Sequence, residues 1–217
     1  LVACALIHAM RMQGIAAVGM KPVASGAWQD SAGTWHNDDV DALASVSVPG
    51  CRAALTNPYL FEAPLAPHIA ARNEGRLIEP ERIFDAFHQL CDSAQHVVVE
   101  GVGGFLVPLA EDFTTADLAQ ALGAPVVLVV GLRLGCINHA LLTFEAVRAR
   151  GLRLAGWVAN CLPDGMLEQD ETIAALAERL QAPLLGILPR LSAPDPDRAC
   201  EAMDIAPLLQ GAAEICS

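Results

Sequence analysis

The sequence predicts an α/β fold, with a mainly parallel sheet covered by helices on both faces. Three observations carry this expectation. Short apolar segments rich in β-branched residues recur at intervals of about 30 residues, the length of a strand–helix–strand unit. Amphipathic helical patterns fill the gaps between them. Polar or glycine-rich residues follow the apolar segments, and the carboxyl ends of parallel strands are where such sheets bind ligands.

The elements follow in order. Residues 1–10 read as the middle of an apolar helix, with Arg11 directly after it. Strands are expected at 16–20, 96–100, 125–130, 154–159 and 184–188. Pro80 opens a helix that carries Ile83, Phe84, Phe87 and Leu90 on one face. Thr114 and Asp117 have the spacing of a capping box, and Gly123 with Pro125 closes the helix they start. Gly135 begins another, with Ile137, Leu141, Phe144 and Val147 inward and Gly151 at its end. A further helix is expected over 164–180. The Gly/Ser/Asp-rich segment 25–37 reads as a mobile loop, and 193–197, APDPD, as irregular. No linker composition divides the chain, so the 217 residues are expected to form a single domain.

Composition narrows the functional classes. The chain is 53% hydrophobic, which supports a sizeable core. Its formal charge of −12 makes it a poor general nucleic-acid binder, since phosphate neutralisation needs clustered Lys and Arg. The longest apolar runs are too short to span a bilayer, so no membrane association is expected. The opening LVACALIHAM lacks the basic flank and small-residue cleavage site of a signal peptide. Seven cysteines, Cys4, Cys51, Cys91, Cys136, Cys161, Cys200 and Cys216, form no CxxC pair. They argue against a structural zinc site and for reduced thiols in the cytoplasm.

Of the 13 basic residues only one, Lys21, is lysine. It ends the first strand in KPVASG and suits a site that needs a compact ammonium rather than a guanidinium fork. Ser25 stands close enough in sequence to serve the same anion. Glu100 ends the second strand in VVVEGVGGFLVPL. A carboxylate at a buried strand end needs a partner, and Mg²⁺, which takes one or two carboxylates and keeps waters and phosphate oxygens, is one. Gly101, Gly103 and Gly104 would admit phosphates to backbone N–H groups. Asp38, Asp39 and Asp41 in HNDDVDAL offer a second metal ligand, or merely complement a helix N-terminus. GCINHA opens a helix whose first N–H groups suit a carboxylate. Asn160 and Pro189 follow two further strands.

Together, MKPVASG, NPYLFEAPLAPHIAA, VVVEGVGGFLVPL, LRLGCINHALLT, LAGWVAN and PLLGILPRL resemble the dethiobiotin synthetases, in that family's order and over nearly the whole chain. The resemblance implies a three-layer P-loop NTPase-like fold and a homodimer with substrate at its interface. It implies Mg²⁺-dependent use of ATP and CO₂ to close the ureido ring of dethiobiotin on 7,8-diaminononanoate, in biotin biosynthesis. By that resemblance Lys21 holds the carbamate and the transferring phosphoryl group, and Ser25 contacts substrate. Glu100 and Asp39 are the magnesium ligands, with Asp41 the alternative to Asp39. Gly135, Cys136, Ile137 and Asn138 form the carboxylate-binding turn supplied across the dimer. Glu100, Gly101, Val102, Gly103 and Asp39 lie near the nucleotide phosphates. Asn160 and Cys161 meet adenine, with Pro189, Arg190 and Leu191 flanking it. The family carries GxxxxGK[ST] directly before the helix that begins here, and the sequence lacks it. The expectation is therefore a truncation or a wrongly chosen start, and a chain without that segment is expected to be inactive. Partition and septum-positioning ATPases of the same fold class are the alternative reading.

Overall fold

The structure is a computed structural model and describes residues 1–162 and 165–210. It contains two compact units, one formed by residues 1 and 3–118, the other by residue 2 and the chain from 119 onward.

In the first unit, helix α1 (Val2–Met12) leads into strand β1 (Ala17–Met20). β1 is wholly buried. The short strands β2 (Val23–Ser25), β3 (Trp28–Gln29) and β4 (Trp35–His36) follow, then helices α2 (Asp38–Val46) and α3 (Ala53–Thr56). Strand β5 (Tyr59–Phe61), helices α4 (Pro67–Asn73) and α5 (Pro80–Ser93), and strand β6 (His96–Val99) come next. Strands β7 (Pro108–Ala110) and β8 (Phe113–Thr114) precede helix α6 (Thr115–Leu122), which runs across the division between the units.

β1 and β6 pair in parallel, from Ala17 opposite His96 to Met20 opposite Val99. Gly19 has a packing reason: a Cβ there would stand 2.9 Å from both Ile7 Cδ1 of α1 and Leu43 Cδ2 of α2. Its absence lets both helices lie against β1. The Arg11 guanidinium donates to Val46 O at 2.8 Å, joining the ends of α1 and α2. α5 buries Ile83, Ala86, Phe87 and Leu90, while Phe84 is half-buried and meets Phe113 edge-on. The expected capping box is present: Thr114 N–H donates to Asp117 Oδ2 at 2.8 Å, and Asp117 N–H donates to Thr114 Oγ1 at 3.3 Å.

In the second unit, parallel strands β9 (Val126–Leu132), β10 (Leu154–Cys161) and β11 (Leu184–Leu188) form a sheet with β10 in the centre. Helix α7 (Cys136–Ala149) packs on β9 and β10 and against helix α8 (Gln169–Leu180). Trp157, Phe144, Leu132, Leu176 and Leu180 are at the centre of this core. Each fully buried Leu or Phe contributes about 1.5–3 kcal/mol. Helices α9 (Pro196–Glu201) and α10 (Ala206–Leu209) complete the described chain.

The structure departs from the sequence expectations at four places. The parallel strands fall into separate sheets rather than one regular series. Segment 25–37 contains the antiparallel β3–β4 ribbon: Trp28 stacks on His36 with centroids 4.8 Å apart, and Asp30 Oδ1 accepts from the N–H groups of Ala32 and Thr34. Turn chemistry and one ring pair outweigh a loop-like composition there. Segment 193–197 holds the start of α9, because Asp195 caps Asp197 and Arg198 and Pro196 takes the first helical position. α8 starts at Gln169, after Glu168 in a left-handed conformation, rather than at 164, which lies outside the described residues.

Candidate functional site

The β1–β6 register explains the first pair of site residues. Met20 is opposite Val99, and Glu100 N–H continues the ladder by donating to Met20 O at 2.8 Å. Lys21 and Glu100, the next residue of each strand, therefore emerge side by side at the carboxyl edge. The Lys21 ammonium donates to Glu100 Oε1 at 2.7 Å and to Asp39 Oδ2 at 2.8 Å. The Lys21 side chain is 7% exposed, against 24% for Glu100 and 54% for Asp39. The lone carboxylate of VVVEGVGG thus has its partner within the protein.

Asp39 reaches the cluster from the first turn of α2. Asn37 is the N-cap: its side-chain oxygen accepts from Asp39 N–H at 3.2 Å and Val40 N–H at 3.3 Å. Its amide donates to Ser25 O at 3.3 Å, so one buried side chain links the Ser25 backbone to the start of the helix. The three acids of HNDDVDAL part company here. Asp38 accepts from Trp28 Nε1 at 3.4 Å, Asp39 meets Lys21, and Asp41 is 2.9 Å from His36 Nδ1. Of the two acids weighed as metal ligands, Asp39 is the one beside Glu100. The oxygens of Asp39 and Glu100 that share Lys21 lie no farther apart than its two hydrogen bonds combined.

The Ser25 hydroxyl donates to Leu65 O at 2.9 Å. Gly101, Val102 and Gly103 come after Glu100 in a turn, with Gly103 at φ +68° and a Cβ there 3.0 Å from Val107 Cγ2. Buried Thr115 stabilises residues 104–107 beyond that turn. Its hydroxyl accepts from Val107 N–H at 3.1 Å and lies 2.9 Å from Gly104 O and 2.6 Å from Phe105 O.

The other expected site residues belong to the second unit. Gly135, at φ +92°, is the N-cap of α7. The Cys136 thiol is buried in the core, and its N–H donates to Arg133 O at 2.9 Å. Ile137 is half-buried and Asn138 exposed. Asn160 sits near the carboxyl end of β10, between Gly131 of β9 and Leu188 of β11. Cys161 is opposite Leu132, and Pro189, Arg190 and Leu191 continue from β11. Asn160 and the start of the 189–191 segment therefore share one sheet edge.

Sequence reasoning passed over the capping role of Asn37, although an asparagine followed by acids is an N-cap signature. It also passed over Asn57, which follows α3 and precedes Pro58. That NP pair marks a turn but says nothing about its distant partner.

In the first unit, the β3–β4 ribbon and α1 carry titrating groups with shifted pKa values. Hydrogen bonding to Asp41, and less so to Asp30, raises His36 above its ordinary value. The Thr34 N–H holds Asp30 below the usual carboxylate range. Burial raises the Cys4 thiol.

No helix among the described residues is long and apolar enough to cross a membrane. A family model described as an AAA domain matches residues 1–198. A chain of the MinC:MinD cell division protein complex of Aquifex aeolicus is similar in structure, with a TM-score of 0.52 over 94% of this chain and 81% of that one. At 12% identity this likeness shows the fold alone. With the family match, it supports the expected P-loop NTPase-like α/β class.

Among curated proteins, the ATP-dependent dethiobiotin synthetase BioD of Aromatoleum aromaticum is 55% identical over 196 residues, covering 90% of this chain and 86% of that protein. The proteins of the same name from Janthinobacterium sp. (strain Marseille) and Ralstonia nicotianae are each 49% identical over 209 residues. These alignments cover 95% and 96% of this chain and 89% and 91% of those proteins, respectively. Similarity of this level and extent shows that the chain belongs to the dethiobiotin synthetase family.

Proposed function

We propose that the intact protein converts 7,8-diaminononanoate, CO₂ and ATP to dethiobiotin, ADP and phosphate in the cytoplasm, acting as a single catalytic domain in a homodimer. The observation that carries this reading is the Lys21–Asp39–Glu100 cluster: a nearly buried ammonium between two carboxylates at a parallel strand edge, in a chain of this family. Such a cluster suits phosphoryl transfer, where positioning and charge neutralisation do most of the work.

In the proposed sequence, one substrate amine attacks CO₂, forms a C–N bond and loses a proton, giving a carbamate. A carbamate oxygen attacks the γ-phosphorus of ATP, and the bond to ADP breaks. The second amine then attacks the carbonyl carbon of the mixed anhydride and loses a proton. Phosphate departs and the cyclic urea is complete. Lys21 holds the carbamate and then the transferring phosphoryl group as a compact cation, with the Ser25 hydroxyl beside the substrate.

Asp39 and Glu100 fit a magnesium ion shared with the nucleotide. Among the described residues no group of three or more His, Cys, Asp or Glu forms a metal cage. A pair of carboxylates completed by water and phosphate oxygens is what Mg²⁺ favours. When bound, the ion neutralises phosphate charge as the γ-phosphoryl group transfers.

We assign Gly135, Ile137 and Asn138, with the Cys136 backbone, to the substrate carboxylate. Asn160, Cys161 and the 189–191 segment are assigned to adenine, and Gly101, Val102 and Gly103 to the phosphates. The exposed Leu134 and Leu142 at α7 support a second copy covering this helix. The test is product detection. Full-length protein given the diamine, bicarbonate, ATP and Mg²⁺ is expected to yield dethiobiotin by mass spectrometry. No product with correctly folded protein would reject the proposal.

A further inference from the structure

At Lys21 the backbone changes neighbours. Up to Met20 the chain pairs with β6, and from Val23 it pairs with β5. A residue between two ladders has no strand partner for its own N–H and C=O, and Lys21 is buried, so both groups need partners elsewhere. One short stretch supplies them. Lys21 N–H donates to Thr56 O at 2.8 Å, and Lys21 O accepts from the Asn57 side-chain amide at 2.6 Å. The same amide nitrogen donates to Tyr59 O at 3.0 Å, while Pro22 O accepts from Tyr59 N–H at 3.1 Å.

Asn57 is itself held firmly. Its N–H donates to Ala53 O at 2.8 Å at the end of α3. Pro58 disfavours helical geometry for the residue before it, and Asn57 has φ −141°, ψ 85°. The residue therefore ends α3 and presents its amide to the switch point.

We propose that Asn57 is a positioning residue for Lys21, clamping the Lys21 carbonyl so that the ammonium is directed between Asp39 and Glu100. A carboxamide is suited to this place because one planar nitrogen supplies two donors, one for each carbonyl. Asp has the same shape and, ionised, offers only acceptors, so it would set a carboxylate against two carbonyl oxygens. Asn57 touches neither substrate nor metal in this scheme. It acts through the lysine, and the functional half of the inference rests on the role proposed for Lys21.

The test uses full-length protein carrying Asn57→Asp or Asn57→Ser. Tyr59→Phe is the control: it removes the hydroxyl that accepts from Glu79 N–H at 2.9 Å, close by but away from Lys21. Misplacing a reacting group by about 1 Å costs about 100-fold in rate. Asn57→Asp is therefore expected to lower kcat for diamine-dependent ATP turnover by at least about tenfold, with KM for ATP within about twofold of wild type. Tyr59→Phe is expected to keep the wild-type kcat. Labelling with ¹⁵N-lysine provides a direct readout, the Lys21 ammonium signal being assigned by its loss in Lys21→Arg. That signal is expected to shift in both Asn57 variants and to stay in place in Tyr59→Phe. A folded Asn57→Asp with wild-type kcat and an unshifted Lys21 signal would overturn the proposal. If Asn57→Asp does not fold, Asn57→Ser carries both measurements. If the wild type shows no diamine-dependent turnover, the proposed function fails, and the Lys21 signal still decides the clamp: a shift supports it and no shift overturns it.

Discussion

Replacing Glu100 by Gln probes the centre of the cluster with the least change of shape. The amide keeps an acceptor oxygen near the Lys21 ammonium, now 2.7 Å from Glu100 Oε1, but removes the charge. The ammonium stays charged, so the bond remains in the charged-group range of about 1.5–3 kcal/mol, and losing the second charge moves it from the top of that range toward the bottom, a direct loss of up to about 1.5 kcal/mol. Glu100 is 24% exposed, and Asp39 still pairs with Lys21 at 2.8 Å. Solvent screening brings the loss to about 1 kcal/mol. For a protein of this size that lowers the melting temperature by about 2–4 °C. Turnover should respond far more, because the proposed magnesium site loses one of its two carboxylates. Outer-shell changes at metal sites already cost about 10–100-fold, so at least about a 100-fold loss is expected at limiting Mg²⁺. Thermal unfolding in EDTA and dethiobiotin formation across a Mg²⁺ titration measure the two effects. A variant that melts much lower while keeping the wild-type Mg²⁺ dependence would remove Glu100 from the metal site and make it a structural partner of Lys21 only.

Other perturbations separate the remaining roles. Lys21→Arg keeps the charge but puts a planar fork where a nearly buried ammonium serves two oxygens, so kcat should fall by at least about 100-fold; a wild-type rate would remove Lys21 from the chemistry. Asp39→Asn should raise the Mg²⁺ requirement, whereas Asp41→Asn should leave it unchanged, since Asp41 is occupied by His36; the reverse pattern would exchange their roles. His36, raised above its ordinary 6.5 chiefly by Asp41, stabilises the β3–β4 ribbon fully below that pH, and its contribution is lost as pH rises through the raised value. The Trp28 ring stacked on it should report this transition by fluorescence, measured against Trp28→Phe; Asp41→Asn should move the midpoint down, and an unmoved midpoint would contradict the pairing.

The sequence showed clearly those elements whose signal is periodic or capped. The strand at 184–188 and the helix from Pro80 are where apolar periodicity and Pro placement put them. Lys21 and Glu100 were legible because each follows an apolar run, buried in β1 and half-buried in β6. That they touch depended on register, which sets Met20 opposite Val99 and is a long-range property. Asp39 and Asp41 could not be separated by composition, since both favour a helix N-terminus. The Asn37 cap and the turn of α2 separate them in space. β5 is three residues long and comes after Pro58, so it was too short to show a period, and with it went the partner of Lys21's carbonyl. The β3–β4 ribbon was hidden by loop-like residues whose turn bonds become visible only in three dimensions.

In the proposed reaction, ATP cleavage is tied to ring closure. Phosphate release by full-length protein, measured with and without 7,8-diaminononanoate and with CO₂ supplied or stripped, tests it most directly. Release is expected only when both are present, with one dethiobiotin formed per phosphate. ATP hydrolysis indifferent to the diamine and to CO₂ would contradict it and point instead to a switch-type ATPase.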